Sequence, residues 1–311
     1  MRDNRIYPRK VLFIGGYGRS GSTLLDRVLG HCSDRFFSGG ELRHIWKEGY
    51  GENRVCGCGQ PFASCEFWSA VSESAFGTPR LDPEPVLQLK QRVDRWWKIP
   101  RLAMSHRGSR LEVHLTRYQD HLRRLYGAIA DQSGADVIID STKDPSHGYV
   151  LSSMPDIDLR VVHLVRDSRA VAYSWQRKKF NPGSGVDMNR YSLIKTGLEW
   201  GAINALIGGL RRRSSGYTMV RYEDLVADPG TQLTRILDMM DEEGTLPYEG
   251  LVHLRNDHTV AGNPIRFKRG ETKLRLDDEW RTSMSLFGKI VMTSLTLPGL
   301  ASYGFGPSWA A

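Results

Sequence analysis

The chain of 311 residues is 40% hydrophobic and 25% charged, an ordinary globular composition with enough apolar residues for a full core. It contains no internal repeat and no low-complexity tract, which excludes repeat architectures and disordered arrays. The net charge of +8 indicates an anionic partner, either a nucleic acid, an anionic membrane or a polyanionic small ligand, unless the basic surface serves only solubility.

Neither end of the sequence has the pattern of a targeting or membrane segment. The first ten residues contain no apolar stretch and so do not predict a secretory signal. The apolar run at residues 11–14 is too short to cross a membrane. Residues 284–300 are apolar but are interrupted by Lys289 and Pro298, which predicts a buried C-terminal helix. The expected location is the cytoplasm.

Predicted strands and helices alternate along the chain. Short apolar runs predict strands at residues 10–14, 136–140, 159–165 and 217–222. Helical spacing appears at residues 22–31, 168–178, 229–240 and across 83–130. This order predicts an α/β fold with a central parallel sheet flanked by helices and a P-loop-like phosphate-binding loop. We expect a single domain over residues 1–311, with a helical acceptor-site insertion at about 80–130, and ligands at the carboxyl ends of the strands.

A glycine-rich loop of sequence Gly-Tyr-Gly-Arg-Ser-Gly-Ser-Thr spans residues 16–23, between the first strand and the first helix. Its glycines let the backbone approach an anion, and the free N–H groups of the following helix point to the same place. Arg19 adds a fork-shaped cation, and three hydroxyl groups add further donors. The loop nearly matches Gly-x-x-x-x-Gly-Lys-Ser/Thr, but Ser22 stands at the lysine position. This difference argues against ATP hydrolysis and ordinary kinase chemistry.

A second motif, Arg-Asp-Ser-Arg-Ala-Val-Ala-Tyr-Ser at residues 166–174, directly follows the third predicted strand. Arg166 leaves the strand at its carboxyl end, and Ser174 lies about two turns into the next helix, so both can face one cleft. An arginine together with a serine hydroxyl suits a phosphate dianion. The alternative is a structural ion pair between Arg166 and Asp167.

Together the two motifs resemble those of the bacterial-type sulfotransferases that use 3′-phosphoadenosine-5′-phosphosulfate (PAPS). In that family an Arg/Lys-Ser-Gly-Ser/Thr-Thr loop binds the 5′-phosphosulfate and an Arg-Asp-x-Arg-x-x-x-x-Ser stretch binds the 3′-phosphate. Residues 221–225, 261–264 and 280–281 extend the resemblance. It implies a PAPS cosubstrate, release of 3′-phosphoadenosine-5′-phosphate (PAP), and no metal. The nucleotide-binding residues that it implies are Gly18, Arg19, Ser20, Gly21, Ser22, Thr23, Arg166, Ser174, Tyr222, Arg266 and Lys268.

The candidate catalytic base is Glu41, in the Gly-Gly-Glu-Leu-Arg segment at residues 39–43. The segment resembles that of protein-tyrosine and some carbohydrate sulfotransferases, where the glutamate is the base. The acceptor hydroxyl must lose a proton, which a carboxylate within hydrogen-bond reach can accept. Alternatively, Glu41 is an ion-paired surface residue. Phenol and steroid sulfotransferases use a histidine, which leaves His44, His147 and His163 as rivals, with His147 best placed at a strand end.

Lys143 lies in Asp-Ser-Thr-Lys-Asp-Pro at residues 140–145, which resembles the Lys-Asp-Pro stretch of the family. The resemblance implies that Lys143, with Arg19, stabilises the charge that develops during sulfuryl transfer. The alternative is a surface lysine in a turn. Further along, residues 182–185 predict a mobile lid, and residues 261–273 predict a basic loop without regular structure.

Three of the four cysteines, Cys56, Cys58 and Cys65, fall within ten residues. In a cytoplasmic protein this cluster could be a metal site or a redox pair. However, the spacing is not that of a zinc ribbon, and no fourth ligand is obvious nearby in the sequence. The other interpretation is a loop of reduced thiols packed beside neighbouring aromatic residues, and the sequence leaves the choice open.

The sequence therefore predicts an enzyme that transfers a sulfuryl group from PAPS to a hydroxyl of a small-molecule, carbohydrate or lipid acceptor. Two rival functions remain, a small-molecule kinase with a P-loop that uses ATP, and a non-catalytic nucleotide- or nucleic-acid-binding protein. We expect no nucleic-acid partner, and a homodimer stays open. The aromatic residues that suggest an acceptor wall are Trp46, Phe67, Trp68, Trp96, Trp97 and Trp175.

Overall fold

The computed structural model describes residues 9–103, 109–183, 185–247 and 250–306. The strands in these ranges are β1 (Arg9–Gly15), β2 (Phe36–Ser38), β3 (Val137–Lys143), β4 (Ile157–Val165), β5 (Phe180–Asn181), β6 (Val186–Asp187), β7 (Gly216–Arg221), β8 (Leu251–Leu254) and β9 (Gly270–Lys273). The helices are α1 (Ser22–Gly30), α2 (Glu66–Phe76), α3 (Glu84–Val93), α4 (Ile99–Ala103), α5 (Arg110–Ser133), α6 (Pro145–Leu151), α7 (Ser168–Gln176), α8 (Leu193–Gly209), α9 (Tyr222–Ala227), α10 (Pro229–Met240), α11 (Trp280–Ser283) and α12 (Leu286–Ser302).

The central sheet has five parallel strands in the order β2-β3-β1-β4-β7. In β1 at its centre, Leu12 lies opposite Ile139 of β3 and Arg160 of β4. Both faces of β1 are covered, because Val11 packs into the core on one side of the sheet and Leu12 into the core on the other. Burial on both faces explains why this strand is a continuous apolar run. The predicted central parallel sheet flanked by helices is therefore confirmed.

The four predicted strands correspond to β1, β3, β4 and β7. The edge strand β2 was not predicted, because a run of only three residues carries no recognisable alternation. The predicted helical region contains α3, α4 and α5, and residues 104–108 within it lie outside the described ranges. Its role as an acceptor-site insertion within a single domain stays a prediction.

Three regions differ in detail from expectation. The helix α12 is only half buried, because one face packs on α7 and α8 while Leu286 and Phe287 are exposed. The expectation of a buried helix is wrong for that face. The region predicted as a basic loop contains β9, which pairs antiparallel with β8. The predicted lid is the turn of the β5–β6 hairpin, of which residue 184 lies outside the described ranges. None of the described helices is long and apolar enough to span a bilayer.

Candidate active site

All five strands of the central sheet end at one cavity. The glycine-rich loop follows β1, and Glu41 lies three residues beyond β2. Lys143 ends β3, Arg166 directly follows β4, and Tyr222 directly follows β7. Because parallel strands place their carboxyl ends at the same edge, these distant motifs meet. The cavity has a volume of about 400 Å³.

The glycine-rich loop passes too close to its neighbours to tolerate side chains at two glycines. Gly16 has φ 148°, and a Cβ there would lie 2.2 Å from the carbonyl oxygen of Leu164. Gly21 has φ 91°, and a Cβ there would lie 2.6 Å from the ring of Tyr222. The chain then enters α1 at Ser22, so the amino end of the helix faces the cavity.

Arg19 occupies the centre of this loop in the left-handed region, with φ 71°. Its guanidinium lies 4.6 Å from the centre of the Trp175 ring. Nε and Nη2 of Arg19, and Oγ of Ser20, are buried without a hydrogen-bond partner among the described residues. Burial, and then the charge of nearby Arg177, lower the pKa of Arg19. Unpaired donors beside a second cation fit an anionic ligand.

Arg166 is 5% exposed and links the two predicted phosphate-binding motifs. Its Nη1 donates to the carbonyl oxygen of Arg19 at 3.0 Å, and its Nη2 donates to the carbonyl oxygen of Asp277 at 2.6 Å. Its Nε has no partner among the described residues. The alternative ion pair with Asp167 does not form, because Asp167 pairs instead with Arg169, at 2.6 Å. Arg166 therefore keeps donors for a ligand.

Most of the predicted site residues lie around this one cavity. Those that line it are Gly18, Arg19, Gly21, Ser22, Thr23, Glu41, Lys143, Arg166, Ser174 and Tyr222. Further lining residues that were not predicted as site residues include Glu48, Arg54, Arg177, Lys179, Asn181, Met188, Gly262 and Asp277. Arg177 and Lys179 could have been predicted as site residues, because they are cations that closely follow Ser174 in the sequence. Arg54 lies in no motif that would have predicted it.

Three predicted nucleotide-binding residues are not brought into the cavity. Ser20 of the loop is buried and is absent from the lining residues. Arg266 donates to the carbonyl oxygens of Thr259 and Val55, at 2.8 Å and 2.5 Å. Lys268 directly follows the short helical turn at Pro264–Phe267, is exposed and is absent from the lining residues. For Arg266 and Lys268 the structure gives no support to a ligand contact.

The segment that carries Glu41 is fixed by a buried carboxylate. Asp26 accepts hydrogen bonds from Ser38 Oγ at 2.5 Å, from Ser141 Oγ at 2.6 Å and from Gly40 N at 3.0 Å. Burial raises the pKa of Asp26 to about 7. These contacts tie the end of β2 to the end of β3 and to α1, which holds Glu41 in place.

The Glu41 carboxylate is paired with Lys143. The His44 Nε2 lies 3.6 Å from the same carboxylate. Burial, and then nearby cations, hold the pKa of His44 well below its ordinary value, so its ring is neutral at neutral pH. Arg43 does not orient Glu41, because its Nε donates to Asp94 at 2.7 Å. The candidate base and the candidate sulfuryl-stabilising cation are thus in direct contact.

The other two histidines lie in the core. The His147 Nε2 is 3.0 Å from Asp140, and the side chain is fully buried outside the cavity lining. His163 Nε2 donates to Asn204 Oδ1 at 3.0 Å, and its Nδ1 accepts from Tyr217 at 2.7 Å. Burial lowers the pKa of His163 to about 4. The position of His147 at a strand end therefore gives it no access to a ligand.

The predicted aromatic wall is mostly elsewhere. Trp46 and Trp68 are fully buried in the core, and Trp96 and Trp97 are about half exposed outside the cavity lining. Phe67 stacks on His258, and Trp175 alone of the six lines the cavity. The expectation of an aromatic acceptor wall is therefore wrong for Trp46 and Trp68, and for Phe67, Trp96 and Trp97 it stays a prediction.

The sequence matches the model of the sulfotransferase family over residues 12–245. The fold is similar to the sulfotransferase domain of the curacin biosynthetic pathway, with a TM-score of 0.54, 17% identity and coverage of 96% of this chain and 99% of that domain. It is also similar to the sulfotransferase domain of the olefin synthase from Synechococcus PCC 7002, with a TM-score of 0.49, 20% identity and coverage of 96% and 97%. No curated protein matches the sequence.

The family match spans most of the chain and agrees with the fold. It includes the glycine-rich loop, Glu41, Lys143 and Arg166, which the sheet brings to one cavity. The chain belongs to the sulfotransferase family and is an enzyme that transfers sulfuryl groups.

Proposed function

We propose that the cavity binds PAPS and that the enzyme transfers its sulfuryl group to a hydroxyl of a small acceptor, releasing PAP. The observation that carries the proposal is the pair of arginines Arg19 and Arg166, joined through a backbone carbonyl, each with buried donors that lack partners among the described residues. Two such groups lining one cavity suit a ligand with more than one anionic group.

The phosphosulfate fits at the glycine-rich loop, where the amino end of α1, Arg19 and Lys143 supply donors and positive charge. The 3′-phosphate fits at Arg166 and Ser174. This arrangement distinguishes PAPS from ATP, which has no 3′-phosphate. Ser22 at the Walker lysine position also disfavours the kinase alternative.

For the chemical step, Glu41 accepts the proton of the acceptor hydroxyl. The hydroxyl oxygen forms a bond to sulfur, while the bond between sulfur and the bridging oxygen of the 5′-phosphate breaks and its electron pair leaves with PAP. Lys143 and Arg19 stabilise the negative charge on the transferring and leaving oxygens. The direct contact between Lys143 and Glu41 supports a base next to the sulfuryl group that the acceptor attacks. We propose that this step needs no metal.

The part of the cavity beside Glu41 is polar, which favours a hydroxylated polar acceptor over a purely apolar one. Glu48 and Arg54 line it and form an ion pair at 3.0 Å. Burial raises the pKa of Glu48. A carboxylate and a guanidinium can bind neighbouring hydroxyls of a sugar or a polar small molecule. The cytoplasmic location and the homodimer stay predictions of the sequence.

Calorimetric titration tests the nucleotide assignment. PAP should bind without added metal and at least tenfold more tightly than 5′-AMP, which lacks the 3′-phosphate. Binding only to ATP with Mg²⁺ would instead support the kinase. A second experiment incubates the enzyme with labelled PAPS and a panel of sugars, phenols and lipids, and detects the labelled sulfate ester.

A further inference from the structure

The cysteine-rich loop acquires a fourth potential ligand in the folded chain. The group, called the Cys3His cluster below, consists of Cys56, Cys58, Cys65 and His258. The ligand atoms of these four residues all lie within 4.8 Å of one another. The histidine is 193 residues from the last cysteine, which explains why no fourth ligand was found near the loop in the sequence.

Three of the six ligand separations within the cluster lie within about 0.4 Å of the edges of a tetrahedral site around one ion. Cys58 Sγ lies 3.8 Å from Cys65 Sγ, and His258 Nδ1 lies 3.2 Å from Cys65 Sγ. Cys56 Sγ is 3.9 Å from the same nitrogen. For metal bonds of about 2.3 Å to sulfur and 2.0 Å to nitrogen, tetrahedral geometry gives ligand separations of about 3.5–3.8 Å. The cysteines are not joined by a disulfide, since sulfur atoms in a disulfide are about 2.05 Å apart.

The backbone of the loop turns so that its cysteines face one another. Cys56 N donates to the carbonyl oxygen of Gln60 at 2.8 Å, and Gly59 N donates to the carbonyl oxygen of Cys56 at 2.9 Å. Gly59 has φ 95°, a conformation that glycine adopts without strain. The next contact, from Gly57 N to the carbonyl oxygen of Thr259 at 3.0 Å, attaches the turn to the segment that carries the histidine.

The histidine is held independently of any metal. The ring of Phe67 stacks on His258 with centroids 4.8 Å apart. Trp68 Nε1 donates to the His258 carbonyl oxygen at 2.9 Å. Two of the four ligands, Cys56 and Cys65, are 2% exposed. The ligand set is therefore preorganised and largely shielded from solvent, as in structural metal sites.

We propose that the Cys3His cluster binds one zinc ion with a structural role. Three thiolates and one imidazole in a closed tetrahedral set favour zinc over magnesium or calcium, which prefer oxygen ligands. None of the four residues is among those that line the nucleotide cavity, so the ion takes no part in the chemical step. A zinc site corresponds to the metal interpretation of the cysteine loop, one of the alternatives that the sequence left open.

The cluster lies next to the segment that supports Glu41, which indicates what a bound ion would stabilise. The segment after His258 forms a bridge at Val260 with Gly40, and Glu41 N donates to the Val260 carbonyl oxygen at 2.9 Å. Two residues later, Gly262 lies against both the Glu41 carboxylate and Thr23 of the phosphate loop. Zinc would thus fasten the cysteine loop to the segment that supports Glu41.

Metal analysis of the wild-type protein provides the direct test. The protein is expressed with zinc in the medium and purified without chelator, and any histidine tag is removed. Inductively coupled plasma mass spectrometry should find about one zinc per chain. Cobalt substituted for zinc should give a strong thiolate-to-metal charge-transfer band and the visible bands of tetrahedral cobalt. These readouts require no turnover, so they are independent of the PAPS assignment.

Variants separate the cluster from nonspecific metal binding. Cys58→Ser and His258→Ala should each lower the zinc content at least fivefold. Cys32→Ala, which removes the remaining cysteine, should retain the zinc, because Cys32 lies outside the cluster and its thiol donates to the carbonyl oxygen of Val28 at 3.3 Å. Wild-type protein without zinc, whether its cysteines are free thiols or a disulfide by mass spectrometry under denaturing conditions, would overturn the proposal. Zinc retained equally in all variants would also overturn it.

Discussion

Replacement of Arg166 by alanine should selectively remove recognition of the 3′-phosphate. The guanidinium has five N–H groups. Two donate to the carbonyl oxygens of Arg19 and Asp277, and a third lies near the Asp277 carboxylate, at 3.2 Å. Two N–H groups, including that of the unpaired Nε, are left for a ligand.

The expected loss follows from these two donors. Hydrogen bonds to charged groups contribute about 1.5–3 kcal/mol each. The lower end of that range gives a loss of about 3 kcal/mol, which is more than a hundredfold in the dissociation constant of PAP. The dissociation constant of 5′-AMP should change much less than that of PAP, since 5′-AMP lacks the phosphate that these donors contact.

Calorimetric titration of both nucleotides into both proteins measures this difference. A suitable control is Arg160→Ala, because Arg160 lies in the same strand, β4, and pairs with Asp158 and Asp241 away from the cavity. The control should bind PAP as the wild type does. If Arg166→Ala weakens PAP and 5′-AMP equally, Arg166 acts only by supporting the loop and does not contact the 3′-phosphate.

Three further substitutions test the base, the loop and a core histidine. Glu41→Gln should lower kcat about 100-fold or more, because the acceptor proton loses its base, while the dissociation constant of PAP changes less than about threefold. Gly21→Ala should weaken PAP binding at least tenfold, since its Cβ would lie 2.6 Å from the Tyr222 ring. His163→Gln should make stability less sensitive to acid. The neutral ring of His163, with a pKa of about 4, contributes stability that is fully present above its unfolded pKa of about 6.5 and is lost as pH falls towards 4. Urea unfolding measures this difference. Between pH 7.5 and pH 5 the free energy of unfolding should fall by about 2 kcal/mol more in the wild type than in the variant.

Each of these expectations has a control and a contrary outcome. Glu73→Gln, at an exposed position in α2, should leave kcat unchanged, and normal turnover of Glu41→Gln would disprove the base assignment. Gly77 also has a positive φ, 70°, but a Cβ there would meet no atom within 4 Å. Equal PAP affinity in Gly21→Ala and Gly77→Ala would contradict the steric argument. If the free energy of unfolding falls equally in the wild type and His163→Gln between pH 7.5 and pH 5, groups other than His163 determine the sensitivity to acid.

The sequence predicted the parts of the site that are local in the chain. The glycine-rich loop and the stretch from Arg166 to Ser174 are each determined by adjacent residues and by their position after a strand. The spacing of each motif was therefore sufficient to predict that it lies at the site. Positions that depend on tertiary packing were missed. Arg54 lies just after a wide helical turn at Ile45–Gly51, and its N donates to the carbonyl oxygen of Glu48 within that turn. His258 meets the cysteines only through contacts distant in sequence. Arg266 was misjudged for the same reason, because two backbone carbonyls that are distant in sequence from each other determine where its side chain points.

The hydrogen bond from Arg166 to the carbonyl oxygen of Arg19 links the two proposed anion-binding motifs. A ligand that immobilises the Arg166 guanidinium also immobilises the peptide that positions Arg19, whose backbone is in the left-handed region. Occupation of one anion site should therefore lower the entropic cost of ordering the other, which is positive cooperativity within a single ligand. A donor that lacks the 3′-phosphate would then lose reactivity at the sulfuryl end as well as affinity, so nucleotide selection and catalysis would share one hydrogen bond.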